Sequence, residues 1–192
     1  MVAGKDYILL PEENGTLNIL SRKGEPRIKV KGKIAFSNND LYVVKGATLT
    51  DTHIVTIDKD GNQQNILFDG TIDNSIQFEF EEQIYFGYKL EHHILLEEDE
   101  LRVNGPEMNL QYSFDNNNLS TPQITQFENQ LYLSITDTKA DEVYLFKSQN
   151  ELVDGFPLYG KTKSILSDID LDKKLNLIVG GESGMLYNYS AE

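Results

Sequence analysis

The side chains best suited to chemistry lie near the C-terminal end, in the acidic run Asp168-Ile-Asp170-Leu-Asp172. This run lies within 162–192, where three short apolar runs are separated by the acidic loop and by a glycine turn. Three carboxylates at alternate positions in a tight turn can point their oxygens at one centre. This loop is therefore the first candidate for a functional site.

The three histidines do not support nucleophilic catalysis or a histidine metal site. His92 and His93 are adjacent, and adjacent strand residues point to opposite faces, so one metal ion cannot easily bind both. His53 stands alone, and no GxSxG elbow accompanies any histidine. There are no cysteines, which excludes thiol nucleophiles, zinc thiolate sites and disulfides.

The remaining acidic and glycine-rich stretches have simple structural explanations. Two carboxylates at a suitable separation are the minimum for glycoside hydrolysis, but Glu79 and Glu81 alternate with aromatic residues and so are expected to face solvent beside Glu82. The run 97–100 is expected to form a solvated turn. Residues 180–184 return into a strand instead of opening a helix, which indicates a hairpin turn and not a phosphate loop.

Composition is that of an ordinary folded chain with a strongly acidic surface. Of its 192 residues, 39% are hydrophobic and 25% are charged, and the formal net charge is −14. This charge repels a phosphate backbone, so nucleic acid and anionic membrane surfaces are unlikely partners. No apolar run reaches the roughly 18 residues needed to span a bilayer, so no membrane insertion is expected.

Alternating apolar residues bounded by turn signals predict an all-β chain with no helix longer than a turn. The turn signals include Glu13-Asn14-Gly15, Ser37-Asn38-Asn39-Asp40 and Asp60-Gly61, and residues 99–108 form the longest irregular insert. The predicted strands are 6–10, 16–21, 27–30, 33–36, 41–45, 53–57, 65–68, 75–80, 83–88, 92–96, 109–114, 122–127, 130–135, 142–147, 152–158, 163–169, 175–180 and 185–189.

Matching features recur about every 40 residues, which is typical of β-propeller blades of four antiparallel strands. A polar turn feeds an apolar strand at Asn39–Val43, Glu82–Phe86, Asn129–Leu133 and Lys174–Ile178. We predict one propeller-like domain over 1–192, with about five blades, of which the first and last are incomplete. The blades span approximately 5–31, 33–70, 71–118, 119–160 and 161–192.

The two ends of the chain supply three strands each, which is too many for one shared blade and too few for two. In a closed propeller one end usually completes the blade begun by the other. The sequence therefore predicts either a ring with two incomplete blades or a fragment of a larger propeller whose open blade edges pair with another copy.

The last blade resembles the FG-GAP repeats of integrin-alpha-like and secreted bacterial propellers. The resemblance rests on 168–172, on Leu175–Gly180 and on Gly184–Tyr189, with 153–158 as the link that enters the blade. Earlier blades are similar only to generic propeller units of quinoprotein-like proteins. The resemblance implies an extracytoplasmic location, periplasmic or secreted.

In FG-GAP repeats a loop of pattern DxDxDGxxD binds calcium, which prefers six to eight oxygen ligands. The resemblance implies that Asp168, Asp170 and Asp172 occupy the first three ligand positions, with Asn176 in place of a fourth acid. Lys173 replaces the glycine of the sharp turn, and Lys174 adds a second positive charge. The alternative is a loop whose Asp side chains only accept backbone N–H bonds, as in Asx-turns.

We expect no enzymatic activity. The first hypothesis is a non-enzymatic scaffold or binding module for a protein or polysaccharide ligand. Propellers bind ligands through the loops at one end of their central channel, and the sequence predicts that residues 116–120 and 160–163 form such loops here. The alternative is the scaffold portion of an extracytoplasmic quinoprotein-like or glycan-active enzyme.

Overall fold

Antiparallel strands joined by turns and loops form the regular structure of the computed structural model. The structure describes residues 6–34, 41–48, 50–58, 60–79 and 83–191. The predicted turn at 37–40, residues 35 and 36 of the predicted strand 33–36, and Glu81 and Glu82 lie outside these residues. A single-turn 3-10 helix, η1 (Glu182–Gly184), is the only helical element in the described part of the chain. The expectation of an all-β chain without long helices is confirmed.

The chain divides into two compact units, Met1–Lys89 and Leu90–Glu192, which are described separately. In the first unit, three strands form the first sheet in the order β1-β2-β3, and four strands form the second sheet in the order β4-β5-β6-β7. The strands of this unit are β1 (Ile8–Pro11), β2 (Leu17–Leu20), β3 (Pro26–Lys29), β4 (Tyr42–Val44), β5 (His53–Ile57), β6 (Asn62–Leu67), β7 (Ile72–Gln77) and β8 (Gln83–Lys89).

The β1–β2 hairpin turns at Gly15, as the Asn-Gly signal predicts. Gly15 has a φ of 83°, and its N–H donates to the carbonyl oxygen of Glu12 at 2.9 Å. A Cβ atom at this position would lie 2.5 Å from the carbonyl oxygen of Ile34. Both the backbone conformation and the close approach therefore require glycine.

Part of the core of the first unit is a cluster shared by residues of the first two sheets. In β2, Leu17 and Ile19 are buried while the residues after each of them are half-buried. They pack in one cluster with Ile34, Ile54 and Ile66. The strand period of two thus places one row of β2 in the core, whereas β5 is buried at every residue from Ile54 to Ile57.

In the second unit, β9, β10 and β11 pair in sequence order within the third sheet. The fourth sheet follows in the order β12-β13-β14-β15, with β16 also pairing with β14, and the last sheet has the order β17-β18-β19. The strands are β9 (His92–Glu97), β10 (Glu100–Asn104), β11 (Asn109–Ser113), β12 (Gln123–Phe127), β13 (Gln130–Asp137), β14 (Glu142–Lys147), β15 (Glu151–Leu152), β16 (Leu158–Tyr159), β17 (Ile165–Ser167), β18 (Asn176–Gly180) and β19 (Leu186–Ser190).

The fourth sheet is covered on both faces. In β14, Val143 and Leu145 are fully buried in a cluster with residues of the last sheet, including Leu177 and Val179. The intervening Tyr144 points to the other face, where its ring lies 5.0 Å from that of Phe114 between centroids. Strand β14 therefore contributes to the core with every residue from 143 to 146.

Three strand predictions need correction. The insert 99–108, predicted to be irregular, contains β10. Only two apolar residues of this strand, Leu101 and Val103, alternate with polar ones, and this short alternation follows the charged run 97–100. The strand predicted at 75–80 as the start of the third set is β7, which pairs with β6 in the second sheet. The single strand predicted at 152–158 is two short strands, β15 and β16, because a turn at 154–155 interrupts it.

Candidate functional site

The acidic loop between β17 and β18 brings three carboxylates together, and we call residues 168–174 the aspartate loop. One carboxylate oxygen from each of Asp168, Asp170 and Asp172 lies within 4.8 Å of the others. Asp168 is half-buried, and the other two are exposed. The alternating sequence thus places three anionic oxygens around one centre.

Two of these aspartates also fix the backbone of the loop. The Oδ1 atom of Asp168 accepts a hydrogen bond from the N–H of Asp172 at 3.2 Å, and its Oδ2 atom accepts one from the N–H of Lys173 at 3.0 Å. The Oδ1 atom of Asp172 accepts from the N–H of Lys174 at 2.8 Å. Each carboxylate oxygen has two lone pairs, so these Asx-type bonds leave acceptor capacity for a cation.

Lys173 adopts the conformation that the glycine of a calcium-binding loop normally supplies. Its φ is 69°, and Leu171 has a φ of 61°. The left-handed conformation costs a residue other than glycine roughly 1–2 kcal/mol. The turn therefore forms with lysine in place of glycine, at some cost in backbone energy.

Asn176 closes the loop at its base. It is the first residue of β18, where it pairs with Ser167 of β17, and its Oδ1 atom accepts from the N–H of Ile169 at 3.3 Å. The fourth residue of the predicted ligand set therefore holds the start of the loop to the sheet. Its oxygen retains a second lone pair.

A groove of about 360 Å³ lies beside the aspartate loop. Aromatic rings, amide side chains and two lysines contribute to its walls, which comprise Phe127, Glu128, Asn129, Gln130, Tyr132, Lys173, Lys174, Leu175 and Ala191. We refer to it as the lysine groove.

Buried neighbours hold the lysine groove in place. Leu175 and Ala191 are only 2% and 3% exposed, and the N–H of Ala191 donates to the carbonyl oxygen of Leu175 at 2.9 Å. The Nε2 atom of Gln130 donates to the hydroxyl of Ser148, which fixes this amide against the next strand. Rigid strands thus support both walls, as expected of a preformed binding site.

Charge pairs at the opposite end of the last sheet involve Lys161. Its Nζ atom lies 3.0 Å from the carboxylate of Asp141 and 2.8 Å from that of Glu182. Hydrogen bonds to Glu182 and Asp141 raise the pKa of Lys161. Because Glu182 is exposed and Lys161 and Asp141 are only partly buried, the pairs contribute little to stability.

His92 has a structural role. It is 1% exposed, its Nδ1 lies 2.5 Å from the carbonyl oxygen of Leu90, and its Nε2 accepts from the N–H of Glu107 at 3.3 Å. These contacts assign a neutral ring with the proton on Nδ1. Desolvation is the main factor that lowers the pKa of His93, its half-buried neighbour.

The entry loops predicted to meet a ligand support neighbouring turns. The amide of Asn116 donates to the Oδ2 atom of Asp137 at 2.9 Å. The hydroxyl of Thr162 accepts from the N–H of Gly180 at 2.9 Å. The lysine groove could not be predicted from the sequence because its residues, such as Phe127 and Lys173, are far apart along the chain. The sequence feature that could have indicated it is the polar turn Glu128-Asn129, which joins β12 and β13 between Phe127 and Tyr132.

No protein-family model matches the chain, and no match was found among curated proteins. Among solved structures, the chain is similar to the "computationally designed Ika8 protein", with a TM-score of 0.55 and 12% sequence identity. The match covers 97% of this chain and 56% of the designed protein, so this chain spans little more than half of that protein's length. A likeness at this identity concerns the fold alone. The described part of the chain contains no helix with the length and apolarity needed to cross a membrane.

Proposed function

We propose that this protein is a non-enzymatic binding module, built on a propeller-like scaffold of repeated antiparallel sheets, that binds a polysaccharide ligand. The observation that carries the proposal is the lysine groove, which shares Lys173 and Lys174 with the aspartate loop. Loops held on a rigid scaffold are the usual location of binding residues.

The chemistry of the lysine groove suits a sugar chain that carries carboxylates. Phe127 and Tyr132 offer apolar ring surfaces for the C–H faces of sugar rings, and the amides of Asn129 and Gln130 can donate to and accept from hydroxyl groups. Lys173 and Lys174 supply positive charge on a chain whose net charge is −14. Because Glu128 also lines the groove and the three carboxylates of the aspartate loop adjoin it, a preference for an acidic polysaccharide rests on a cation in the loop that offsets those carboxylates.

We further propose that the aspartate loop binds calcium through Asp168, Asp170 and Asp172, with Asn176 beside them. Three carboxylates within 4.8 Å, in a loop whose turn residue has a φ of 69°, fit the oxygen preference and loop geometry of this ion. A bound ion would offset the repulsion among the three carboxylates. These residues then hold the backbone of Lys173 and Lys174 at the edge of the lysine groove.

Calorimetric titration with an oligosaccharide of hyaluronan tests the binding proposal, with a neutral cello-oligosaccharide of similar length as the comparison. Binding of the hyaluronan fragment should weaken about tenfold in a Lys173→Asn, Lys174→Gln double variant, a loss of about 1.4 kcal/mol. Lys139→Gln, which removes an exposed lysine outside the groove, should leave binding unchanged. Equal affinity of wild type and double variant, or no binding of the hyaluronan fragment by the wild type, would refute the proposal.

A further inference from the structure

Strand β19 is an edge strand of the last sheet. It pairs with β18 on one side and with no strand of the described residues on the other. In the second and fourth sheets, a fourth strand, β7 or β15, lies beside the third strand. The open edge of β19 is therefore the place where a fourth strand would lie.

The hydrogen bonds of β19 to β18 show which of its residues face the sheet. The N–H of Ala191 donates to the carbonyl oxygen of Leu175 at 2.9 Å, and the carbonyl oxygen of Met185 accepts from the N–H of Gly181 at 2.8 Å. Alternate residues of an antiparallel strand direct both backbone groups to the same side. The odd-numbered residues of 185–191 therefore direct their backbone groups to β18.

The even-numbered residues of β19 direct their N–H and C=O groups to the open edge. They are Leu186, Asn188 and Ser190, and their side chains are also exposed. Within the described parts of the chain, the backbone groups of these three residues have no hydrogen-bond partner. Such a row of donors and acceptors is a template for pairing with another strand.

Other edge strands of the protein are protected against such pairing. Strand β3 of the first sheet begins with Pro26 and carries Arg27 and Lys29, and prolines and charges are common ways to block an edge. At the edge of β11, the N–H of Asn109 donates to the Oδ1 atom of Asn150 at 2.8 Å, so a side chain covers it. Strand β19 contains neither a proline nor a charge, and its pairing with β18 has no bulge.

The charge distribution makes the β19 edge suitable for a second copy of the same chain. A net charge of −14 repels another copy over most of the surface. Residues 184–191, in contrast, form eight consecutive positions without a charged side chain. Two copies can therefore approach through this stretch without placing like charges opposite each other.

We propose that β19 pairs antiparallel with β19 of a second copy, with Asn188 at the centre, so that the protein forms a two-fold symmetric dimer. In this register Leu186 lies opposite Ser190 of the second copy, and Asn188 lies opposite its own counterpart. Because the outward groups are evenly spaced about Asn188, each of the three residues donates one hydrogen bond and accepts one. The contact is isologous and closes at two copies.

Sedimentation equilibrium over a dilution series reaching about 1 mM tests the proposal, because a contact along one strand edge is small and binds weakly. Asn188→Pro removes the central N–H and places a ring at the edge, while the hydrogen bonds to β18 remain. Its association should therefore weaken at least about tenfold. Asn188→Thr keeps the N–H and is the matched control, which should associate like wild type.

Charge substitutions at Asn188 test the register. Asn188→Lys and Asn188→Glu each place like charges directly opposite across the two-fold axis, so each variant alone should associate more weakly than wild type. In an equimolar mixture opposite charges meet, and the mixed dimer should be about fivefold tighter than the dimer of either variant. This pair of variants also decides the question if Asn188→Pro does not fold.

Circular dichroism melts of each variant establish which of them are folded. A wild type that stays monomeric up to about 1 mM would overturn the proposal and leave the edge to an extended segment of a different protein. A folded Asn188→Pro variant that associates like wild type, or a charge mixture no tighter than its components, would overturn it as well.

Discussion

The fourth sheet and the last sheet share an antiparallel topology but differ in how their faces are covered. In the fourth sheet, β14 buries Val143 and Leu145 on one face and Tyr144 and Phe146 on the other. In the last sheet, β19 has no fully buried residue and alternates between exposed and half-buried side chains. The same kind of antiparallel sheet can therefore be covered on both faces or on one face, depending on what packs against it.

The two sheets meet through both apolar and polar contacts. The hydroxyl of Ser164 donates to that of Ser134 at 2.8 Å in a buried position, and the hydroxyl of Thr136 donates to the carbonyl oxygen of Thr162 at 2.8 Å. Polar pairs of this kind are satisfied within the interface. The last sheet is therefore anchored on one side, which leaves its aspartate loop and outer face for interactions.

Truncation of a leucine in each sheet should give the largest contrast. Leu145→Ala is expected to lower the free energy of unfolding by about 3 kcal/mol, because Leu145 is fully buried and its loss leaves a cavity. Leu186→Ala, at a residue 77% exposed, should change it by less than about 0.5 kcal/mol. Urea denaturation measures both, and similar losses would show that the two sheets are equally covered.

Loss of an aspartate from one turn in each sheet should give the next largest contrast. Asp137 is 1% exposed, and its Oδ1 atom accepts from the N–H groups of Lys139 and Ala140 at 2.9 Å each. Asp137→Ala should therefore cost roughly 2–3 kcal/mol, because a buried carboxylate that accepts these bonds and one from Asn116 is lost. Asp172→Ala should cost about 0.5 kcal/mol, since water can replace its carboxylate. A greater loss in Asp172→Ala would reverse the comparison.

Removal of a tyrosine hydroxyl should have a smaller effect, one that depends on pH. The hydroxyl of Tyr144 donates to the Oε2 atom of Glu142 at 2.9 Å, so Tyr144→Phe should cost about 1 kcal/mol at neutral pH. Desolvation is the main factor that raises the pKa of Tyr144, and the hydrogen bond to Glu142 adds to the effect.

The direction of the pH effect follows from this raised pKa. As pH rises above the ordinary tyrosine value of about 10, the unfolded chain loses this proton first, so the folded state loses stability. Thermal melts between about pH 9 and 11 should show a shallower decline for Tyr144→Phe than for wild type. Burial also raises the pKa of Tyr189 in the last sheet, so Tyr189→Phe is the matched comparison. Parallel pH profiles of stability for wild type and Tyr144→Phe would contradict the raised pKa of Tyr144.

Lys173→Gly should have the smallest effect on stability. Glycine relieves the left-handed conformation of Lys173 but increases the freedom of the unfolded chain, and the two effects nearly cancel. The free energy of unfolding without calcium should therefore stay within about 0.5 kcal/mol of wild type, while calcium affinity should rise because a positive charge is removed. A large loss of stability in urea denaturation would show that the side chain of Lys173 supports the last sheet.

The sequence predicted most strands because apolar alternation and turn residues act locally. β5 at His53–Ile57 and β14 at Glu142–Lys147 match their predicted bounds, and the Gly15 turn forms where Asn-Gly indicates it. β10 was missed because its two buried residues give too short an alternation beside four acidic positions. Local signals therefore identify hairpins better than they identify short strands in charged surroundings.

The candidate site was only partly predictable. The spacing of Asp168, Asp170 and Asp172 was sufficient to place three carboxylates in one loop. The lysine groove combines Phe127 and Tyr132 with residues more than forty positions later, and no sequence period connects them. The coverage of each sheet face also depends on neighbouring sheets, so a strand's own residues do not determine it.

Calcium titration followed by thermal unfolding tests the central claim most directly, that the last sheet carries a functional aspartate loop. Wild type at ten times the dissociation constant for calcium should gain about 1.4 kcal/mol of stability. Asp170→Asn should lose this gain, while the backbone hydrogen bonds to Asp168 and Asp172 remain. Asp154→Asn, at an exposed aspartate outside the loop, should retain it. No stabilisation of wild type at millimolar calcium, or an equal gain in Asp170→Asn, would contradict the account.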